Sequence, residues 1–468
     1  MNQAQQGKKP LLTLLAVLAS LFLIAAACGS DSADGDDGDD SGEDGGDGEG
    51  RSINVAIVEN GNMEDIAELT PDLFTAETGI EVNYTLLDEA TIRQLVTREV
   101  GGGETDEEGN FDVVMVGLYD TPQFAATGGI TPLDSFFEGD DEWNVDDITS
   151  SVRDGLTFED ELYAAPFYAE SSFIMYRADV LEEAGLEFSE NPTWQEVAEI
   201  AQAIDTDERA GICLRGQPGW GNLGASFTTV LNTFGGTWWE ANEDGTPGAA
   251  QVDQPEFREA LEFYIDLLDT AGQDDPTSVN FPECLSLYQN DQVAMWYDAT
   301  VAAGFVQTEG AGAGVSAFAP APVVDTDSSG WLWSWNLAIP EATEDKDTAW
   351  EFVRWATSSE YLEAAGADER VGWATVPPGA RVSLYENEEY LAAADTFASA
   401  TLASLEAADP VNPGTSPRPG LGGVQFVGIP EWQDIGNRCT ERLADAIAGE
   451  DIDAAIADCQ EIASEVSQ

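Results

Sequence analysis

The stretch RSINVAIVENGNMEDIAELTPDLFTAETGIEVNYTLLDEATIRQLVTREV, Arg51–Val100, decides the fold. Its opening, Arg51–Val58, is an apolar run of strand length. In NMEDIAELTPDLFTAETG the period changes, and Ile66, Leu69 and Phe74 share one helical face. VNYTLL predicts a second strand, ATIRQLVTREV a second helix and FDVVMVG a third strand. A β-α-β-α-β order predicts an α/β fold with a mostly parallel sheet.

Upstream of this stretch the chain looks like an export signal. Lys8 and Lys9 precede a run without charge from Leu11 to Ala27, and AAAC ends it at Cys28. A charged start, an apolar centre and small residues before the cleavage point make a signal peptide over 1–27. A cysteine directly after the small residues predicts a lipoprotein signal, with Cys28 as the lipidated residue. The apolar run is short for a membrane span, although a retained anchor is the alternative. GSDSADGDDGDDSGEDGGDGEG then offers nothing to bury, so 28–50 reads as an extended, disordered acidic tether.

The net charge is −73, and Lys346 is the one lysine beyond the signal. Such a surface repels nucleic acid and anionic lipid, so membrane association is expected through the lipid anchor alone. It suits a salty medium, where screening tames self-repulsion. An unchanged folded fraction at very low salt would count against that expectation. There is no histidine. Ser-His-Asp and Cys-His nucleophile systems are therefore excluded, and the commonest metal ligand is missing. No metal site is expected.

Four cysteines remain beyond Cys28, namely Cys213, Cys284, Cys439 and Cys459. Outside the cell an even count suggests two disulfides, with three connectivities possible. Cys213–Cys284 with Cys439–Cys459 is the favoured set, the second pair stapling RLADAIAG to DIDAAIAD as a helical hairpin. Buried free thiols and a zinc site are the alternatives, the zinc site weakened by the absence of a CxxC pair.

GICLRGQPGWGNLG, Gly211–Gly224, reads as a strand running into a glycine-rich turn. Its end fits GxGxxG, yet it lies in mid-chain, no acid stands well placed downstream, and Trp220 would crowd a pyrophosphate. No cofactor is expected. The glycines more plainly let a loop bend and carry Trp220 to a cleft. Further on, WLWSWNLAIP reads as a strand crowded with tryptophan, DKDTAWEFVRWATS and the alanine-rich C-terminus as helices, and VNPGTSPRPG as a surface loop.

The order of these elements, with TGIEVNYT, FDVVMVGLYD, GGITPLDSFF, LYAAPFY, VAMWYDAT and AWEFVRWATSSEY, resembles the extracellular solute-binding proteins of bacterial ABC sugar importers. GICLRGQPGWGNL, MWYDATVAAGF and APFYAESSFIMYR are similar to the sorbitol/mannitol (polyol) binding group. The chain departs from that group at Tyr119-Asp120, where Tyr-Glu is expected, at Cys284, and in IRQLVT. The resemblance implies a two-lobe periplasmic-binding-protein-like fold (type II) with ligand between the lobes. Crossings are expected near Pro166–Glu170, near Asp298 and near Trp331. The first lobe would then comprise 51–168 with 298–330, and the second 169–297 with 331–468.

A sugar alcohol presents hydroxyls and a strip of C–H groups. Polar forks must satisfy the former, and aromatic faces must cover the latter. The candidate ligand residues are Arg215 and Trp220 in the glycine-rich loop, Asp298 at the end of VAMWY, and Glu170 after APFYA. Glu59 and Asn60 follow the first strand, Tyr119 and Asp120 the third. Trp331, Trp333 and Trp335 alternate and share one face; Trp373 is a further candidate. The function implied is capture of a polyol by a monomer on the extracellular face of the cytoplasmic membrane and delivery to an ABC permease. A mono- or disaccharide ligand is the alternative. A secreted glycosidase would need a carboxylate pair with split pKa values, and the acids here are spread over the whole surface. An adhesion lipoprotein would bind no small ligand.

Overall fold

The apolar runs become two sheets. In the computed structural model the strands are β1 (Ser52–Val58), β2 (Glu81–Leu87), β3 (Val113–Gly117), β4 (Ala165–Glu170), β5 (Ser172–Arg177), β6 (Ala210–Cys213), β7 (Val293–Ala299), β8 (Ser316–Pro320) and β9 (Trp333–Ala338). The first sheet has the order β2-β1-β3-β9-β4 and the second β8-β5-β7-β6. The structure describes residues 51–101, 110–418 and 420–466. The signal segment 1–27, Cys28 and the tether lie outside the described residues. Among the described residues no helix is long and apolar enough to cross a membrane.

β1 pairs in parallel with both β2 and β3, as the opening stretch predicts. Helices cover such a sheet on both faces, which is why Val55 and Ile57 are buried together with their neighbours Ala56 and Val58. Helix α1 (Gly61–Thr70) starts where the Asn60 side chain accepts from the Met63 amide at 3.2 Å. It gives way at Pro71 to a wider turn, Pro71–Thr75, because proline has no N–H to continue the ladder. That turn sets Phe74 against Phe352 and Trp355, with centroids 5.6 and 5.1 Å away. Phe74→Ala would cost about 3–5 kcal/mol there. Helix α2 (Glu89–Val100) begins at Asp88, whose side chain accepts from the Thr91 amide at 3.0 Å.

The strand pairing corrects the expected division of the chain. Only Ser171 separates β4 of the first sheet from β5 of the second, so the chain crosses there. No crossing occurs at Asp298, which pairs with Phe173 inside the second sheet. β8 then pairs with β5, so 298–330 carries a strand of the second sheet and not of the first. The next crossing follows β8 and passes Trp331. β9 fills the gap between β3 and β4, so the segment after Trp331 returns to the first sheet. The remainder of 331–468 is divided too: Phe352 packs on Phe74, whereas Trp432 packs on Trp238. Sequence periodicity gives a strand its type; pairing partners are a property of the whole sheet.

Both favoured disulfides are present. Cys213–Cys284 ties the end of β6 to helix α3 (Phe281–Gln289), and Cys439–Cys459 staples α4 (Trp432–Ile447) to α5 (Ile452–Ala463). The proline-rich segment is a surface loop along most of its length, with Asn412, Thr415, Ser416 and Pro417 exposed. Val411 is exposed, but Arg418 is buried and donates to Asn232.

Candidate ligand-binding cavity

The C-terminal ends of β1, β4 and β6 and the start of β9 with the segment before it converge on a cavity of about 580 Å³. Its walls come from both sheets. That volume lies within the range of small-molecule sites.

On the second-sheet side the register explains Arg215. β6 and β7 run parallel with Cys213 opposite Trp296, so two residues further on Arg215 stands beside Asp298. Arg215 Nε and Nη2 donate to the two Asp298 oxygens at 2.8 and 2.6 Å, a bidentate pair. Asp298 is fully buried and also accepts from the Trp296 indole at 3.1 Å and the Ala299 amide at 2.7 Å. Its acceptor capacity is used within the protein, and it does not line the cavity. The expectation that Asp298 accepts ligand hydroxyls is thus corrected: it stands behind Arg215 and fixes it. Burial opposes the Arg215 charge, but Asp298 and then Glu89 outweigh it and hold the guanidinium above its usual pKa. Nη1 donates to the Gly221 carbonyl at 3.0 Å and faces Glu89 at 3.6 Å.

Trp220 reaches the cavity as its loop predicts. Gly219 has φ +132°, which favours glycine, and a Cβ on Gly221 would stand 2.9 Å from Arg93 Nη2. Trp331, Trp333 and Trp335 all line the cavity, and Trp333 and Trp335 share the face turned to Arg93. Glu59 and Asn60 line it as well, and Asn60 Nδ2 donates to the Tyr168 hydroxyl at 3.1 Å. Glu170 lies on the lining beside the Ser171 crossing, only 7% exposed. Burial, followed by Glu89 and Asp298, pushes its carboxyl well above the usual range, against the pull of Arg215 and Arg93. That direction favours the neutral carboxyl, a form that can donate as well as accept.

Besides Asp298, three candidates are not brought to the cavity. The Tyr119 ring stacks on Phe426 at 5.1 Å and 7°. Asp120 is buried beneath Arg93, 3.6 Å from Nη1, and accepts from Gln433 Nε2 at 3.3 Å. Both residues lie just past the end of β3 (Val113–Gly117), but the chain turns at once into the short helix Thr121–Ala126, which carries them behind the wall. Trp373 packs against Gly366 in the first lobe, because its loop folds over helix Ser359–Ala367.

Sequence reasoning missed Glu89, Arg93, Tyr168, Asn280 and Gln425, all on the lining. Arg93 was detectable: it is one of few arginines and stands one turn beyond Glu89, just after a strand end. Gln425 carried no signal. Four buried side chains on this wall hold polar atoms that make no hydrogen bond within the protein. They are Arg93 (Nε and Nη1) and the Trp331 indole N–H as donors, with Asn280 Oδ1 and Gln425 Oε1 as acceptors. Buried polar groups are normally satisfied, and the residues that carry these unpaired atoms all line one cavity. Among the described residues no cluster of acids and cysteines is placed to hold a metal ion.

Comparison with known proteins gives the same direction. A mannitol-binding protein from Pseudomonas aeruginosa is 37% identical over 404 residues, 85% of this chain and 89% of its own length. An erythritol/L-threitol-binding protein from Mycolicibacterium smegmatis is 25% identical over 68% of each chain. The crystal structure of an ABC transporter solute-binding protein from Agrobacterium vitis S4 with bound D-mannitol superposes with a TM-score of 0.83 at 40% identity, covering 89% of this chain and 98% of that one. These relatives are transport solute-binding proteins and not enzymes. Residues 60–363 match the bacterial extracellular solute-binding protein family, and the chain belongs to it.

Proposed function

We propose that this chain captures a sugar alcohol of the mannitol or sorbitol type between its lobes and delivers it to the permease of an ABC importer. The observation that carries the reading is the set of orphaned donors and acceptors around the cavity. Each ligand hydroxyl both donates and accepts, so one polyol can meet Arg93, Trp331, Asn280 and Gln425 together. Tryptophan surfaces cover its C–H strip, and Arg215 offers the N–H groups that Asp298 and Gly221 leave over. Glu170, Glu59 and Asn60 complete the polar lining. The names of the relatives support the ligand class: the Pseudomonas protein is named for mannitol, and the Agrobacterium structure holds D-mannitol. We place the protein on the extracellular face of the cytoplasmic membrane, a monomer held by a lipid on Cys28 with the acidic segment 28–50 as its tether.

A thermal-shift series tests this, with mannitol, sorbitol, ribitol and erythritol set against glucose and maltose. A polyol at 100 times its Kd should stabilise the fold by about 2.7 kcal/mol. Shifts with glucose or maltose alone would discard the polyol assignment. Globomycin-sensitive processing and loss of membrane retention in Cys28→Ser would check the anchor.

A further inference from the structure

We propose that one stripe of α2, formed by Glu89, Arg93 and Thr97, is the latch that holds the two lobes closed, with Gln433 as its positioning residue. This deepens the binding reading and rests on it. The three residues are spaced by four, so they lie on one helical face, one turn above another. Each reaches the second lobe. Glu89 faces Arg215 at 3.6 Å; the Arg93 guanidinium lies 4.1 Å over the Trp220 ring; Thr97 Oγ1, whose hydroxyl donates to the Arg93 carbonyl at 2.8 Å, lies 3.3 Å from Gln433 Oε1.

The opposing surface is built for this contact. Helix α4 turns Gln433, Asn437 and Thr440 towards the glycine-rich loop. Asn437 Oδ1 accepts from the Trp220 amide at 3.0 Å, and Thr440 Oγ1 accepts from the Gly219 amide at 2.9 Å. The Trp220 loop is therefore clamped between α4 and α2. Gln433 Nε2 donates to Asp120, the carboxylate beneath Arg93, so one amide touches the stripe at Thr97 and holds its counter-ion. Close approach depends on Gly221, where a Cβ would meet the Arg93 guanidinium.

The latch has an inner and an outer end. Glu89 and Arg93 line the cavity, whereas Thr97 and Gln433 do not. A ligand hydroxyl that satisfies Arg93 acts on the same side chain that stacks on Trp220, so ligand and closure stabilise each other. Substitutions at the outer end should then weaken a ligand they never touch.

The test uses Gln433→Ala and Thr97→Val. D-Mannitol affinity is measured by calorimetry, and the radius of gyration by small-angle scattering with and without D-mannitol. The expected result is a retained fold, affinity reduced about 5–20-fold, and a larger radius of gyration than the parent protein. Gly221→Ala, acting from the other side of the contact, should weaken binding at least as much. Parent affinity together with coincident scattering curves in all three variants overturns the latch. A parent protein that binds no polyol refutes the binding reading instead. The scattering comparison then decides the latch alone, with expanded variants supporting it and coincident curves rejecting it.

Discussion

Arg215 and Arg93 face the same cavity from opposite lobes, and they are held in opposite ways. Arg215 is locked by hydrogen bonds: Asp298 takes two of its N–H groups, the Gly221 carbonyl takes another, and its own carbonyl accepts from Tyr264 at 2.7 Å. Apart from Gly221, which lies in its own loop, these partners are supplied by the second-lobe scaffold around β7 and the neighbouring helix. Arg93 is held by rings and charge. Trp220, Trp333 and Trp335 surround it at 4.1 to 4.8 Å, and Glu89 and Asp120 neutralise it, yet Nε and Nη1 make no hydrogen bond. One arginine has its hydrogen-bond partners on its own lobe; the other keeps two nitrogens unpaired, which the binding reading assigns to the ligand. Pre-organisation on one wall and adaptability on the other is a physical basis for a cleft that must both recognise and release.

The comparison breaks most severely at Asp298. Asp298→Ala leaves a buried guanidinium without its counter-charge and should destabilise the fold by about 3–5 kcal/mol. Chemical denaturation of the ligand-free protein reads this directly, and an unaltered midpoint would show that Arg215 is not pinned as described. Arg93→Lys should act differently. It keeps the charge but loses the planar stack and the fork, so affinity for D-mannitol should fall about tenfold, equivalent to about 1.4 kcal/mol. The denaturation midpoint should hardly move. Equal losses of stability in the two variants would erase the distinction.

The smallest effect is expected at the cavity mouth. Asp65 lines it among Glu64, Glu68 and Glu309, and burial, followed by these neighbours, raises its pKa from 3.8 to about 7. A carboxyl raised in the folded state supports folding fully below its unfolded pKa, and that support is lost as pH rises through about 7. Asp65→Asn removes the penalty of ionisation. Its melting temperature should exceed that of the parent by about a degree or two at pH 8 and match it near pH 4. A difference of the same size at both pH values would show that packing, and not ionisation, is responsible.

Much of this was legible in the chain itself. SINVAIV and FDVVMVG became β1 and β3 because buried parallel strands need unbroken apolar runs. The glycine-rich stretch delivered Trp220 to the cavity because only glycine tolerates the turn at Gly219 and the approach at Gly221. Asp298, Tyr119 and Asp120 show where this reasoning stops. Each lies at or just beyond a strand end, the right kind of place, but which face a residue shows there depends on the neighbouring strand and the next turn. Asp298 is turned behind Arg215, and Asp120 beneath Arg93. Gln425, distant in sequence and in a loop, had no pattern to betray it.

The sequence by itself determined the acidic balance and the strand and helix types, and it favoured the disulfide set that the structure carries. Each follows from composition, from local periodicity or from a small number of pairings. Only the tertiary structure decided which sheet β8 and β9 join, which carboxylates face the ligand cavity and which support an arginine. It also decided that Glu89, Arg93 and Thr97 close upon Trp220 and Gln433. Those outcomes depend on register and on contacts between residues more than a hundred positions apart, which no local pattern encodes.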